Sequence, residues 1–404
     1  MQDIRAALLS AVLVIPQAIA FAALAGLPPS YGLWASVIPV AVAALLGRTP
    51  ELLTGPVVAL SLALYSGLSQ YAAPGGDTYI QYALFITLAT GALQIVLSIL
   101  GAQRILSWVP DWGTAAILSA VGVNLIASQI PSISGLPAVA IEGTIGQAWS
   151  ALMALSDWHW QSIATVTVTI AVAFGSAGAP WRTLRALSLL AALSVGSLFA
   201  AMLPGMDQTL GNVSLGVPLS NPLALGATGW AWWPQWIPVI FTLAVLGLLQ
   251  TGIIVRRVGG GVAELRREGL SGGVANIVAA CTAGLPISGS FNRSIAHEQA
   301  GARTRWAAVG SGAAVLCVAF VPRLMSLIAI PAMSGMLLAI GWKLIDRNVF
   351  SQHKMFAVSV TTAGVFLGLQ WAVALALALG AWRHFARGQQ GTESADPAMR
   401  DVAP

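Results

Sequence analysis

The residues best equipped for chemistry in this chain lie in the run Pro286-Ile287-Ser288-Gly289-Ser290-Phe291-Asn292-Arg293-Ser294, which separates two apolar segments. An arginine at bilayer depth costs roughly 3 kcal/mol on insertion scales, so a charge held there points to an ion path or a binding site. A second interrupted segment, Thr54-Gly55-Pro56-Val57-Val58, occupies the matching part of the first half. Hydrophobic segments broken by glycine or proline at corresponding places in two halves mark a transporter's substrate site. A helix that begins in mid-membrane leaves its first N–H groups unpaired and carries about half a positive charge at that end, which attracts anions. If two such helices meet tip to tip, Pro56, Val57 and Val58 face Ser290, Phe291 and Asn292, and Arg293 adds a full charge. The implied pocket is small and selects anions.

Plainer roles are open to the same residues. Arg293 could pair with Glu298 or snorkel to the inner surface, although Arg303 and Arg305 already serve that surface about three turns further on. Gly55 and Gly289 could be packing glycines in a chain that has 42 of them, and Pro56 and Pro286 could be ordinary kinks. Their pairing across the two halves favours the site. Glu51, four residues before Gly55, is the remaining acidic group nearby and a candidate for proton coupling; its alternative is a solvated loop carboxylate beside Arg48. His297, one turn after Arg293, could relay protons, although a hydrogen-bonded histidine within a bundle is the commoner case.

The elements that position these residues follow from composition. Only 19 basic and 14 acidic residues occur among 404, 57% of the chain is hydrophobic, and mean hydropathy is +0.80. A soluble domain needs far more surface charge than this. Apolar runs of bilayer-spanning length recur along nearly the whole chain, which predicts an all-α polytopic membrane protein. A β-barrel would alternate polar and apolar residues. The net charge of +5 suits arginines gathered in short loops as an orientation signal better than a nucleic-acid partner. Cys281 and Cys317 read as small hydrophobes, and no motif with metal-ligand or redox spacing occurs. Met1 to Gly26 has some features of a signal peptide, but Pro16-Gln17 interrupts its apolar part and Asp3 dilutes the basic end, so it reads as transmembrane helix one.

Following the arginines gives a topology of about fourteen transmembrane segments. Arg5, Arg48, Arg104, Arg182, Arg185, Arg256, Arg257, Arg266, Arg267, Arg303, Arg305, Lys343 and Arg347 fall inside, leaving Arg323 outside. A polar stretch with Glu142, Asp157, Trp158 and Trp160 is expected outside, with an amphipathic surface helix. Trp230, Trp232, Trp233 and Trp236 are expected to form an interfacial belt. Helix nine is expected over about 270–284. Residues 354–383 are too few for two full spans, so helices thirteen and fourteen should be short or tilted. Seven helices per half put the second half in the opposite orientation, as an inverted repeat requires. Gln17 and Gln250 are 233 residues apart and Gly55 and Gly289 are 234 apart, in keeping with that repeat. The expected transport domain covers residues 1–388, with repeats at about 1–205 and 230–388 and a disordered cytoplasmic tail at 389–404.

Ile15-Pro16-Gln17-Ala18-Ile19-Ala20-Phe21-Ala22, then Ala25-Gly26-Leu27-Pro28-Pro29-Ser30-Tyr31-Gly32-Leu33, resembles the signature of the sulfate permease family, also called SulP or solute carrier family 26. So do Thr54-Gly55-Pro56, and Gly284 to Ser294 together with Gln299-Ala300-Gly301-Ala302-Arg303-Thr304. The motifs are long, stand in family order and cover about residues 1–385. The resemblance implies a seven-plus-seven inverted repeat and a core domain that moves against a gate domain in an elevator-like motion. It also implies half-helices three and ten meeting at mid-membrane, and an anion site between helices one, three, eight and ten. By position it places Gln17 and Phe21, Val57, and Phe291, Asn292 and Arg293 at that site, alongside Gly55, Pro56, Gln250 and Ser290. Two departures stand out. Many members carry glutamate on helix eight where this chain has Gln250 in Leu248-Leu249-Gln250-Thr251, and glutamine cannot titrate. The family usually continues into a cytoplasmic STAS domain, whereas this sequence ends about 20 residues after helix fourteen.

The resulting expectation is a secondary transporter of small anions, an inorganic oxyanion or a carboxylate, driven by proton symport. It is expected in a bacterial inner membrane with both termini cytoplasmic, in the lipid bilayer and as a homodimer, with no nucleic-acid partner, cofactor or metal. An anion channel or voltage-responsive motor of the same fold is one alternative. A nucleobase:proton symporter is another, but those carriers hold the base with acidic residues where Gln250, Asn292 and Arg293 stand here. No Ser/His/Asp or metal set supports an enzyme.

Overall fold

A computed structural model describes residues 2–102, 109–134, 144–180, 185, 187–205, 209, 221–319 and 326–393. The first half runs through α1 (Gln2–Leu24), α2 (Pro29–Ala35), α3 (Ile38–Leu46), the three-residue strand β1 (Thr54–Pro56), α4 (Val58–Leu68), α5 (Asp77–Ile99), α6 (Asp111–Ser134), α7 (Thr144–Met153), α8 (Trp160–Ala177) and α9 (Ser188–Met202). The second half runs through α10 (Gly226–Trp232), α11 (Ile237–Arg257), α12 (Val262–Thr282), β2 (Ile287–Gly289), α13 (Phe291–Gln299), α14 (Arg305–Ala319) and α15 (Ile330–Leu344). It closes with α16 (Arg347–Gln352), α17 (Lys354–Thr362) and α18 (Leu369–Glu393). Among the described residues, six segments are both long and apolar enough to cross a bilayer: 2–24, 29–46, 77–99, 112–134, 160–177 and 229–257.

Proline places several of the helix starts. Pro29 opens α2, and Pro39 sits in the first turn of α3, where no intrahelical N–H is needed. The helices sort into two packed groups. In one, α5 packs on α12 and α11, α1 on α14 and α13, and α3 on α12 and α14. In the other, α6 packs on α15 and α17, and α8 packs on α9 and α15. Each group has a close helix crossing built on paired glycines, as membrane helices favour. A methyl at Gly91 would sit 2.6 Å from the Gly273 carbonyl oxygen, and one at Gly122 would sit 2.6 Å from that of Gly341. The main contacts between the groups are α11 with α18, α4 with α6, and α1 with α9 and α15. The seam therefore runs along α1, α4 and α11.

Several expectations change. The broken segments are not helix tips alone, because β1 and β2 pair antiparallel ahead of α4 and α13 and place a strand pair inside an otherwise helical protein. Helix nine begins at Val262 rather than Leu270, so Arg266 and Arg267 lie on the helix; the Gly261 N–H donates to Glu264 Oε2 at 3.0 Å and caps it. Trp230, Trp232 and Trp233 are exposed as a belt requires, but Trp236 is buried. The 3₁₀ turn over Trp233–Trp236 directs it inward against Tyr82, with ring centroids 4.7 Å apart. In the stretch expected to hold a surface helix lies α7, with Trp149 and Met153 exposed. Cys281 and Cys317 are free thiols on the outside of the bundle. The last helix continues past Gln389 to Glu393. Arg104, Glu142, Arg182 and Arg323 lie outside the described residues.

Candidate functional site

The strand pair is the scaffold of the site. Thr54 lies opposite Gly289, Gly55 opposite Ser288 and Pro56 opposite Ile287. Three residues per strand are too few to hold such a pair alone, and side chains from three helices complete its hydrogen bonding. Asn276 of α12 brackets Ile287: its Oδ1 accepts the Ile287 N–H at 2.7 Å, and its Nδ2 donates to the Ile287 oxygen at 3.0 Å and to Gln94 Oε1 of α5 at 2.8 Å. Thr251 Oγ1 of α11 accepts the Gly289 N–H at 3.2 Å, and Ser288 Oγ donates to Gln250 Oε1 at 2.7 Å. At the other end, the Leu53 N–H donates to Ser294 Oγ at 2.9 Å, and the Ser290 N–H donates to the Leu53 oxygen at 3.1 Å. These groups are buried or partly buried, so each bond spares a polar group from desolvation without a partner.

The strands deliver two helix N-termini to one place. Val57 is the N-cap of α4 and Ser290 that of α13; both are extended, and neither side chain caps its helix. The first intrahelical bonds are Ser61 N–H to the Val57 oxygen and Ser294 N–H to the Ser290 oxygen. The N–H groups of residues 58–60 and 291–293 are thus left outside the helical pattern, and each end carries the positive pole of its helix.

Arg293 crosses between the two ends. Its Nη2 donates to the Pro56 carbonyl oxygen at 2.5 Å, while the side chain is only 2% exposed. Nε and Nη1 are buried and find no acceptor among the described residues, and no carboxylate pairs with the guanidinium. Gly55 makes room for it: φ there is +147°, and a methyl would sit 3.0 Å from Nη1. The conformation and the space both call for glycine at this position. A fully charged group with two unfilled donors, enclosed beside two positive helix ends, can complete its hydrogen bonding with an anion.

The other expected residues gather around this centre to different degrees. Gln17 and Phe21 are buried on α1, which packs against β1, α4 and α13. Val57 is buried and Ser290 half-buried. Gln250 is half-buried, and its oxygen is engaged by Ser288, which makes it a support of β2 in this structure. Phe291 is 45% exposed, with the Arg257 guanidinium 5.4 Å from its ring centroid. Asn292 stands in the first turn of α13. The alternative partner for Arg293 is taken elsewhere, since Glu298 pairs with Arg257 at 3.6 Å. Glu51 is half-buried in the turn before β1 and makes no ion pair among the described residues, with Arg48 or otherwise.

A carboxylate that the sequence reading passed over lies close by. Glu268 on α12 is 3% exposed, and its Oε1 accepts the N–H groups of Arg48 at 2.6 Å and Thr49 at 2.8 Å. It fixes the loop leading into β1. It also lines a cavity of about 10 Å³ beside the strands, room for one water, with Thr54, Gln94, Thr251 and Ser288. An acid and an amide two turns apart, Glu268 and Asn276, on one helix of a chain this poor in charge are a signal that could have exposed this support.

The profile of the sulfate permease family matches residues 1–365. A probable sulfate transporter of Mycobacterium tuberculosis strain H37Rv is 29% identical over 406 residues, covering 93% of this chain and 69% of that protein. The chloroplastic sulfate transporter 4.1 of Arabidopsis thaliana is 24% identical over 405 residues, covering 93% and 57%. Among solved structures, the transmembrane domain of the cyanobacterial bicarbonate transporter BicA superposes with a TM-score of 0.78 at 19% identity, covering 94% of this chain and 97% of that one. The murine anion transporter Slc26a9 in its inward-facing state superposes with a TM-score of 0.78 at 16% identity, covering 96% and 68%.

Proposed function

The chain belongs to the sulfate permease family, and from that footing we propose that this multi-pass membrane transporter carries small anions, an inorganic oxyanion or a carboxylate, by proton-coupled symport. The observation that carries the proposal is Arg293, enclosed beside the uncapped ends of α4 and α13 with Nε and Nη1 unfilled. An anion bound there meets a full charge, two free donors and two helix dipoles. Gln17 and Phe21 of α1, Gly55, Pro56 and Val57, and Ser290, Phe291 and Asn292 form the surrounding substrate site in this proposal, with Gln250 shaping it through β2. Sulfate and bicarbonate head the substrate panel because the relatives and the structural neighbour are named for them.

The proposed motion follows the seam. The helices that carry the site, α1, α4 and α11, are also those that make the main contacts between the two packed groups. Sliding one group past the other would carry an anion held at α4 and α13 across the membrane without dismantling the cradle. Packing of α1 on α14 is mirrored by α11 on α5, and α3 on α14 by α12 on α5, which supports a seven-plus-seven repeat of fourteen crossings. Both termini are proposed to face the cytoplasm of a bacterium. Glu51, beside β1, is the carboxylate proposed for proton coupling.

Uptake of labelled anions into proteoliposomes at two pH gradients tests the proposal, with Arg293→Ala and Glu51→Gln in parallel. Saturable uptake that Arg293→Ala abolishes is expected. Full activity in Arg293→Ala refutes the site, conductance without saturation refutes the carrier, and unchanged pH dependence in Glu51→Gln removes Glu51 from the coupling.

A further inference from the structure

The face that α13 turns toward α1 holds a second enclosed ionisable side chain. His297 lies one turn beyond Arg293, so the two leave the same side of the helix with Cβ atoms about 5–6 Å apart. Neither reaches solvent, with His297 at 0% and Arg293 at 2% exposure. His297 Nδ1 lies 2.6 Å from Ser10 Oγ on α1, and its Nε2 is buried with no partner among the described residues. A neutral imidazole offers one donor and one acceptor nitrogen, and a hydroxyl can give or receive a hydrogen bond. In either tautomer the ring can therefore accept one proton while keeping its contact with Ser10.

The charged groups on the elements around it narrow what that proton responds to. They are Asp3 and Arg5 of α1, Arg256 and Arg257 of α11, Arg293 and Glu298 of α13, and Arg303 in the turn that follows. Asp3 accepts from the Arg303 and Thr304 N–H groups at 2.8 and 3.3 Å and from Thr304 Oγ1 at 2.6 Å. Glu298 is held by Arg257. Arg5, Arg256 and Arg257 are exposed. Among the described residues, Arg293 is the one charge that shares the enclosed face with His297.

We infer that His297 is a proton-binding residue of this transporter, filled when an anion occupies the donors of Arg293; the inference rests on the anion-symport reading above. Two positive charges one turn apart in an enclosed space repel, and an anion on the guanidinium removes that repulsion. Each ligand thus helps the other to bind, and the coupling is reciprocal. The proton comes from hydronium on one side, where an O–H bond breaks as the N–H bond forms and water is left, and on the other side it returns to water in the reverse step as the anion leaves.

The test uses the full chain and labelled sulfate. In proteoliposomes, the ratio of sulfate uptake with an inward one-unit pH gradient to uptake without it should rise toward about tenfold for one proton per anion in the wild type. In His297→Gln it should fall to about one. In weakly buffered detergent solution, wild-type protein should take up one proton for each sulfate bound. Ser10→Ala should shift the pH at which sulfate affinity changes. A gradient response kept in His297→Gln, or no proton uptake with sulfate in the wild type, overturns the inference. A response lost only in Glu51→Gln also overturns it and leaves the symport reading standing. Absence of saturable anion uptake in the wild type sinks the transport reading itself.

Discussion

Replacing Arg293 with alanine should separate anion binding from folding. Among the described residues the unliganded guanidinium makes one bond, to Pro56, and is otherwise enclosed without a counter-charge. Removing an uncompensated buried charge offsets the loss of that single bond, so unliganded Arg293→Ala should unfold at no lower temperature than wild type. Binding should behave oppositely. Two charge-assisted hydrogen bonds, from Nε and Nη1, are worth about 1.5–3 kcal/mol each. Even the lower limit, about 3 kcal/mol for the pair, weakens Kd on the order of 100-fold. At an anion concentration of about 100 times the wild-type Kd, ligand stabilises wild type by about 2.7 kcal/mol and the variant by about 0.4 kcal/mol. Thermal unfolding in detergent across a sulfate titration reads both effects in one assay. A variant that sulfate stabilises as strongly as wild type would refute the reasoning, as would a large loss of stability without ligand.

Further consequences follow from the scaffold. Gly55→Ala forces a side chain into a left-handed backbone at φ +147° and against Nη1, at about 1–3 kcal/mol of strain. It should lower both thermal stability and sulfate affinity, whereas Gly75→Ala, with φ +80° and open space around it, should lower stability alone. Glu268→Ala orphans the Arg48 and Thr49 N–H groups at about 1–3 kcal/mol each, and Glu268→Gln should recover much of the loss in a melting experiment. Asn276→Ala unpairs both polar groups of Ile287; initial-rate uptake should show a raised KM, and an unaltered KM would mean that β2 holds its place without Asn276.

The centre of the candidate site is legible in the sequence because its signals are exceptions to an apolar background. Arg293 stands out as a charge between two apolar segments, and Gly55 and Gly289 stand out by their matching offsets. Its supports were harder to read. Glu268 is joined to Arg48 across 220 residues and Asn276 to Gln94 across 182, and no local pattern predicts which helix faces another. Strands of three residues show no periodicity, so β1 and β2 looked like bare helix starts. Arg266 and Arg267 suggest a loop before helix nine, whereas the helix carries them in its first two turns. Trp236 was grouped with its neighbours by composition, and only the turn before α11 directs it inward.

The most direct test of the central claim is a structure determined with selenate, an oxyanion whose selenium gives an anomalous signal. The account predicts a selenium peak within hydrogen-bonding reach of Arg293 Nε and Nη1, between the N-termini of α4 and α13, and its loss in Arg293→Ala. A peak elsewhere in the bundle, or one that survives the substitution, would contradict it.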